Sequence, residues 1–469
     1  MSRVSIISRK TTLSTVQESK GKLVDDQVLD EQNEPDVDTD GGLEGWLTVL
    51  GAFLVQVVNM GHATGFAAYE EFYKTDYLDQ VSSSGISWIG STQVSLLSAM
   101  SLVSGPLFDK GYFRYMMSGS SVFYALCNFM LSLAHRNKFY QVYLPQGLGL
   151  GLAMGFVYSP TMAVVSRHFH RRRSFAIGLV ASGSSMGGVL YPIMLNHLFK
   201  SVGFRKAVLI NASMNTTLLA IANFLIHEYP KLSASKTLEL KSRSARRPIF
   251  VWSFFRELPY MLMVIGLCIS AFGFFFPTVY IQLFAVTKGL PAGFAFYVPS
   301  ILNGAAFFGR IVPNYFADRL GIFTMVLPCL AAMCGTIFAL IPAHTAGGVA
   351  AVAAVYGFFW GAYAALTPAA LASLAKNNEE VGARVGVGIS FTAISLLGGL
   401  PISGALLTNQ NHWTPPVLFS GLTIIIGTAC WIACRVLLLR EKSRAKAPDS
   451  EMPEMIMSEP RLDIDAPVS

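Results

Sequence analysis

The sequence predicts an all-α membrane protein of twelve transmembrane helices, arranged as two pseudo-symmetric six-helix halves. Three observations predict it: a composition too apolar for a soluble core, long uninterrupted apolar runs, and motifs that recur at nearly one offset. Of 469 residues, 52% are hydrophobic and 13% charged, about half the roughly 25% charge of soluble domains. Mean hydropathy is +0.48. A hydrocarbon layer roughly 30 Å thick asks for about 20 apolar residues from each crossing helix. Lipid offers backbone N–H and C=O groups no partner, so helices, which satisfy their own, are the form such runs take.

The runs fall at residues 46–68, 88–107, 114–134, 140–163, 174–198, 206–226, 259–285, 293–313, 321–342, 347–373, 384–407 and 415–437. They divide the chain into five parts. Residues 1–45 form a polar N-terminal tail with an acidic stretch from Asp25 to Asp40, too poor in apolar surface to offset chain entropy and expected to be disordered. It lacks the basic start and apolar stretch of a cleavable signal peptide. Residues 46–226 form the first six-helix bundle, and residues 227–256 a linker carrying Lys231, Lys236, Lys241, Arg243, Arg246, Arg247 and Arg256. Residues 257–439 form the second bundle, and residues 440–469 a C-terminal tail that reads like the first.

Cations are distributed unequally between the two sets of loops. One set carries Lys110, Arg114, Arg167, Arg171 to Arg173, the linker cations, Arg319, Lys376 and Arg384; the other carries Lys74, Arg136, Lys138, Lys200, Arg205, Lys206 and Lys288. The cation-rich side faces the cytoplasm in polytopic proteins, which places both termini and the linker there. The plasma membrane is the expected location, an organelle membrane the alternative. The net charge of +7 follows from the same bias, so it indicates a lipid bilayer as partner and no nucleic acid. Cys127, Cys268, Cys329, Cys334, Cys430 and Cys434 lie in apolar stretches at spacings that match no zinc site. No metal is expected, and a monomer is the simplest state.

The internal repeat is visible in three features. The second run ends in Gly105-Pro106-Leu107-Phe108-Asp109-Lys110-Gly111 and the eighth in Phe316-Ala317-Asp318-Arg319-Leu320-Gly321, an offset of 318 − 109 = 209. Pro160 in the fourth and Pro368 in the tenth give 368 − 160 = 208, and Gly187 and Gly398 give 398 − 187 = 211. Parallel repeats of this kind place a ligand site between the halves near the bilayer midplane.

These features, with Asp40-Gly41-Gly42 before Trp46, the stretch His168-Phe169-His170-Arg171-Arg172-Arg173-Ser174-Phe175-Ala176-Ile177-Gly178, and Gly85-Ile86-Ser87-Trp88-Ile89-Gly90-Ser91, resemble the major facilitator superfamily. The resemblance is to its monocarboxylate-porter branch in a fungal form and covers nearly all of residues 40–440. It implies the major facilitator fold and alternating access. Two positions depart from the lactate-type carriers. Thr64 stands where they carry a lysine, and Ala306 where they pair an aspartate with the arginine one turn on, here Arg310. A proton-coupled lactate activity therefore does not transfer, although proton coupling itself stays possible with no other cofactor.

Arg310 is the leading candidate for substrate binding. An arginine inside an apolar run is costly and normally faces a polar cavity, and a guanidinium can hold a carboxylate through two hydrogen bonds. Asn303, seven residues earlier, falls about 20° away on the same helical face. A snorkelling or helix-locking Arg310 is the alternative. In the first run Gln56, Asn59 and His62 fall within an arc of about 120° on an ideal helix, and could line the cavity opposite Arg310 with His62 titrating near neutral pH. Interhelical hydrogen bonding is the other reading of that stripe. Asp109, Lys110 and Arg114, with Asp318 and Arg319 in the repeat, are candidates for gating, since in the superfamily such charged turns hold neighbouring helices together in one state. Ordinary topological charge is the alternative.

Gly147, Gly149 and Gly151 imitate a nucleotide loop but lie within an apolar run without a preceding strand. Asn211-Ala212-Ser213 and Asn215-Thr216-Thr217 fit a glycosylation pattern that membrane burial would hide. No phosphate-binding loop points to ATP hydrolysis. The expected function is secondary transport of a small organic metabolite, a carboxylic acid or other organic anion, and the chain is not expected to be an enzyme. Export of a fungal secondary metabolite is the alternative direction, and a non-transporting solute sensor the alternative class.

Overall fold

A computed structural model describes residues 41–169, 171–228, 252–375, 380–407 and 412–446. The predicted tails (up to residue 40 and beyond residue 446) and linker residues 229–251 lie outside them. Among the described residues all regular structure is helical. The first half contains α1 (Gly42–Tyr77), α2 (Ser83–Asp109), α3 (Phe113–Leu131) and α4 (Phe139–His168). The continuous helix Arg173–Leu225 then turns sharply at Gly203 (φ 75°, ψ 171°), which divides it into α5 (173–202) and α6 (204–225). The second half contains α7 (Leu258–Thr287), α8 (Ala292–Leu320), α9 (Ile322–Phe338), α10 (Ala346–Ser373), α11 (Val381–Leu406) and α12 (Thr414–Lys446).

Nine of the described helices, counting α5 and α6 as one, are long and apolar enough to cross a membrane. Separating those two at Gly203 and adding α3 and the shorter α9 accounts for the twelve predicted runs. Three helices outrun their apolar cores. α1 extends to Tyr77, α8 continues through Asn314 to Leu320, and α12 continues past Arg440 to Lys446, into the region read as tail. Apolar runs mark the lipid-crossing part of a helix, and polar turns at either end remain helical where their backbone bonds continue.

Each half buries its own core. One cluster of buried residues runs from Phe254 to Cys434 in the second half, with Val94 and Tyr158 packed against it, and two others lie mainly in the first, joined across the halves by Ala365 and Ala369 of α10 and by Ile322. Within the second half α8 and α10 touch backbone to backbone. A Cβ on Gly309 would lie 1.9 Å from the Phe358 carbonyl oxygen, and one on Gly361 would lie 2.3 Å from that of Ala306. Small residues permit such contact in membrane helices. Gly309→Ala is expected to cost about 1–3 kcal/mol through overpacking, read as a lower melting temperature of the purified protein. An unchanged melting temperature would contradict the close crossing.

The halves meet along two seams, α2 against α11 and α5 against α8, and the seams are equivalent under the repeat. A Cβ on Gly386 would lie 2.3 Å from the carbonyl oxygen of Ser101, and one on Gly178 would lie 2.2 Å from that of Arg310. The offsets are 386 − 178 = 208 and 310 − 101 = 209. Sequence repeat and packing repeat therefore coincide.

Candidate functional site

At the end of the bundle where α1 begins and α12 ends, each seam is closed by an aspartate. Asp109, at the C-terminus of α2, accepts hydrogen bonds from the backbone N–H groups of Gly382 (3.2 Å) and Ala383 (2.7 Å), at the start of α11. Asp318, at the C-terminus of α8, accepts from Ser174 (2.8 Å) and Phe175 (2.9 Å), at the start of α5. The opening turns of a helix present unpaired N–H groups and the positive end of its dipole, so each carboxylate caps a helix of the opposite half. Arg167 of α4 adds an ion pair to Asp109 at 3.0 Å, and its guanidinium lies 4.2 Å from the Phe108 ring centroid.

The other gating candidates sit differently. Arg114 donates to the carbonyls of Asn223 and Ile226, both at 2.9 Å, tying α3 to the end of α6 within one half. Arg319 is exposed and bonds Tyr315 of its own helix at 2.7 Å, while Tyr315 meets Phe175 edge-on. Lys110 is half-buried next to Asp109 in sequence, and among the described residues its side chain makes no bond to the opposite half. Of these gating candidates, the two aspartates are the ones that hydrogen-bond across a seam among the described residues. The partners that sequence reading missed are Arg167 and four backbone N–H groups, which leave no side-chain signature.

Behind these clasps, α5 and α8 enclose Arg310. The residue is 7% exposed, and its Nη1 donates to the Ser185 hydroxyl of α5, across the seam. Its Nε has no partner, and among the described residues no carboxylate forms an ion pair with it. Tyr158 of α4 lies within electrostatic reach. Arg310 is therefore drawn into the seam and does not reach out to the membrane surface. One face of α8 carries Leu302, Ala306 and Gly309 against α10, while Asn303, Arg310 and Asn314 face α5. Asn303 donates to the Pro299 carbonyl at 3.0 Å, and its Oδ1, like the Thr64 hydroxyl, packs against Gly188. α1, α5 and α8 meet there. The repeat-equivalent position of Arg310 is Ser101, whose hydroxyl stays on its own helix, bonded to Leu97. At this repeat position the α5–α8 seam carries a buried cation and the α2–α11 seam a serine, so the site lies where the repeat departs from symmetry.

The stripe on α1 is not arranged as an ideal helix would place it. Val57–Gly61 is wound as a π-helix, which inserts one residue and turns everything beyond it by about 100°. Phe53, Val57 and Gly61 face α5, so closely that a Cβ on Gly187 would lie 2.5 Å from Gly61 Cα. Gln56 and Asn59 are buried, with side-chain N–H groups unpartnered. His62 is 1% exposed and lies between the rings of Tyr69, Tyr124 and Tyr191, at 5.7, 6.2 and 5.6 Å. All three tyrosines belong to the first half. The structure thus brings His62 into the core of that half and not onto the seam with Arg310, because the single-period arc took no account of the π turn.

The remaining motifs have structural explanations. Gly41 has φ 91°, and a Cβ there would lie 2.3 Å from the Phe169 ring, while Trp46 meets that ring edge-on at 5.1 Å. The residues opening α1 therefore seat on the α4–α5 connection. The glycines at 147–151 lie inside α4, and Asn211 and Asn215 are fully buried in α6. Arg384, read only as a loop cation, is 1% exposed, paired with Glu257 (2.8 Å) and Glu380 (3.4 Å), and lies over the Phe254 ring.

Comparison with known proteins agrees with this architecture. The Major Facilitator Superfamily profile matches residues 48–377. The MFS-type transporter dbaD of Emericella nidulans is 33% identical over 399 residues, covering 84% of this chain and 86% of the relative. The aspyridones efflux protein apdF of the same organism is 31% identical over 420 residues, covering 88% and 82%. The agnestins efflux protein AgnL12 of Paecilomyces divaricatus is 31% identical over 395 residues, covering 83% and 87%. Family match, helical architecture and paired seams together make the chain a member of the major facilitator superfamily, a multi-pass membrane transporter of small solutes and not an enzyme.

Proposed function

We propose that this transporter exports a small organic acid of the secondary-metabolite type by alternating access, with the acid's carboxylate held by Arg310. The observation that carries this reading is a buried guanidinium on the seam between the halves, bonded to the Ser185 hydroxyl and with no carboxylate partner among the described residues. A buried cation without a counter-ion is expensive, and an anionic cargo supplies the missing charge through a two-pronged hydrogen bond. Ser185 bonds the guanidinium, and Asn303 and Thr64, which meet at Gly188 about two helical turns along α8, are neutral groups suited to orienting the rest of the cargo. The names of the efflux relatives favour export. Of the membrane charges that the resemblance to monocarboxylate porters implies, the arginine alone is kept, since Thr64 and Ala306 replace the others.

In this reading the clasped face is cytoplasmic, by the cation bias of its loops. The protein works in the plasma membrane as a monomer, and the parts 46–226 and 257–439 rock about the seams. The test is efflux from yeast loaded with carboxyfluorescein, a membrane-impermeant organic anion, alongside labelled aromatic and aliphatic carboxylates. Cells carrying the transporter are expected to lose at least one of these faster than cells carrying Arg310→Ala. Equal rates for every anion, with both proteins at the cell surface, would overturn the reading.

A further inference from the structure

We infer that Arg384 is a positioning residue for one of the two clasps: locked by Glu257 at the foot of α7, it sets the first turn of α11 so that the Gly382 and Ala383 N–H groups stand in place for Asp109. The inference rests on the alternating-access reading above and deepens it, since it puts the α2–α11 clasp under the control of the linker's end.

The first turn of α11 is poorly made to hold itself. Residues 382–388 read Gly-Ala-Arg-Val-Gly-Val-Gly, and glycines at this density disfavour helix. The crossing nevertheless demands two of them. A Cβ on Gly382 would lie 2.7 Å from Asp109 Oδ1, and one on Gly386 would lie 2.3 Å from the Ser101 carbonyl oxygen. The close approach that lets Asp109 reach this backbone therefore also loosens it. Arg384 adds a cation to the opening turn, the end of a helix where the dipole disfavours positive charge, and it is 1% exposed. A buried guanidinium in that place requires compensation from outside its own helix.

The compensation comes from the segment that leads into α7. Glu257 accepts from the guanidinium through both oxygens, from Nη1 at 2.8 Å and Nη2 at 3.0 Å, and Glu380 accepts at 3.4 Å. Such a forked pair fixes orientation as well as charge. The last turn of the linker, Trp252–Arg256, is a 3-10 helix. It lays the Phe254 ring 4.6 Å from the guanidinium and sets Phe255 edge-on to Phe391 of α11 at 5.2 Å. Tyr260 of α7 donates to the Arg384 carbonyl at 2.7 Å. Side chain and backbone of one residue are thus tied to the linker's end and the start of α7. Directly before it in sequence, the Ala383 N–H meets Asp109 at 2.7 Å. Glu257, Tyr260, Glu380 and Phe391 all move with the second half, so the lock stays made while the halves rock and the clasp re-forms on a preset seat. The other clasp is built without it. Ala176 of α5 stands at the repeat position of Arg384, 384 − 176 = 208, and a methyl group makes no such tie.

Residue-resolved hydrogen exchange on the purified full chain tests the inference. In Glu257→Gln the amides of Gly382 and Ala383 are expected to exchange about tenfold faster than in wild type, the equivalent of one charge-assisted hydrogen bond. Those of Ser174 and Phe175 should keep the wild-type rate. Unchanged exchange at 382–383 overturns the inference, and so does equal acceleration at both clasps, which is what a general loss of stability gives. Should Glu257→Gln not fold, Arg384→Lys takes its place, since an ammonium keeps the charge but cannot make the fork; the same outcomes apply to it. Transport kinetics give a second readout, with an anion that passes the efflux test. Glu257→Gln is expected to lower kcat about tenfold and to leave KM within about twofold. Combined with Asp318→Asn, the effects should multiply to about 100-fold. Combined with Asp109→Asn they should not, because both changes act through one clasp. Multiplication in both pairs overturns the inference. Failure to move any anion overturns the cargo reading instead, and the exchange comparison still decides the role of Arg384.

Discussion

Replacing Arg310 by alanine lowers organic-anion transport by about 100-fold, while the protein still folds and reaches the membrane. The magnitude follows from what the guanidinium offers. Hydrogen bonds to charged groups contribute about 1.5–3 kcal/mol each, and every 1.4 kcal/mol is about tenfold in affinity. Two such bonds to a carboxylate in a desolvated seam therefore account for about two orders of magnitude. The fold is expected to tolerate the loss because, among the described residues, Arg310 closes no ion pair and its side chain bonds the Ser185 hydroxyl alone. Arg310→Lys is expected to restore less than a tenth of the rate, since an ammonium cannot reproduce the two-pronged geometry. Initial rates of dye efflux, corrected for surface protein, are the measurement. Wild-type rates in Arg310→Ala would place the arginine outside the transport path.

Neutralising the clasps is expected to slow the cycle more than it weakens binding. Asp109→Asn removes the charge that pairs with Arg167 and turns one acceptor into an amide donor facing the N–H groups of Gly382 and Ala383. A loss of about 1.5 kcal/mol from the state closed by the two aspartates makes that state about tenfold rarer. Turnover should fall by about that factor, with cargo affinity changed less than about twofold. Asp318→Asn acts on the equivalent seam without shared partners, so the two effects should add in free energy, giving about 100-fold in the double variant. Steady-state kinetics with separate kcat and KM checks this. A parallel loss of cargo affinity would assign the aspartates to binding.

Much of this architecture was legible in the residues. Apolar runs identify the twelve helices because lipid demands them, and the offset near 209 reappears as two equivalent seams. Arg310 and Asn303 could be paired from their spacing because α8 is regular between them. The stripe of Gln56, Asn59 and His62 could not be read so directly. One extra residue at Val57–Gly61 leaves no mark in composition, yet it redirects His62 into the first half. The clasps were half visible. Asp109 and Asp318 stand out in their motifs, but their partners are backbone N–H groups distant in sequence, and Arg114 and Lys110 share the motif without crossing the seam.

Charge discrimination is the most direct probe of an anion site on the α5–α8 seam. Equilibrium binding of a carboxylate that passes the efflux test would be compared with its isosteric neutral amide, on purified wild type and Arg310→Ala. The wild-type protein is expected to prefer the carboxylate by at least about tenfold, the equivalent of one charge-assisted hydrogen bond, and the variant to bind both alike. Equal binding by wild type, or a preference undiminished in Arg310→Ala, would contradict such a site.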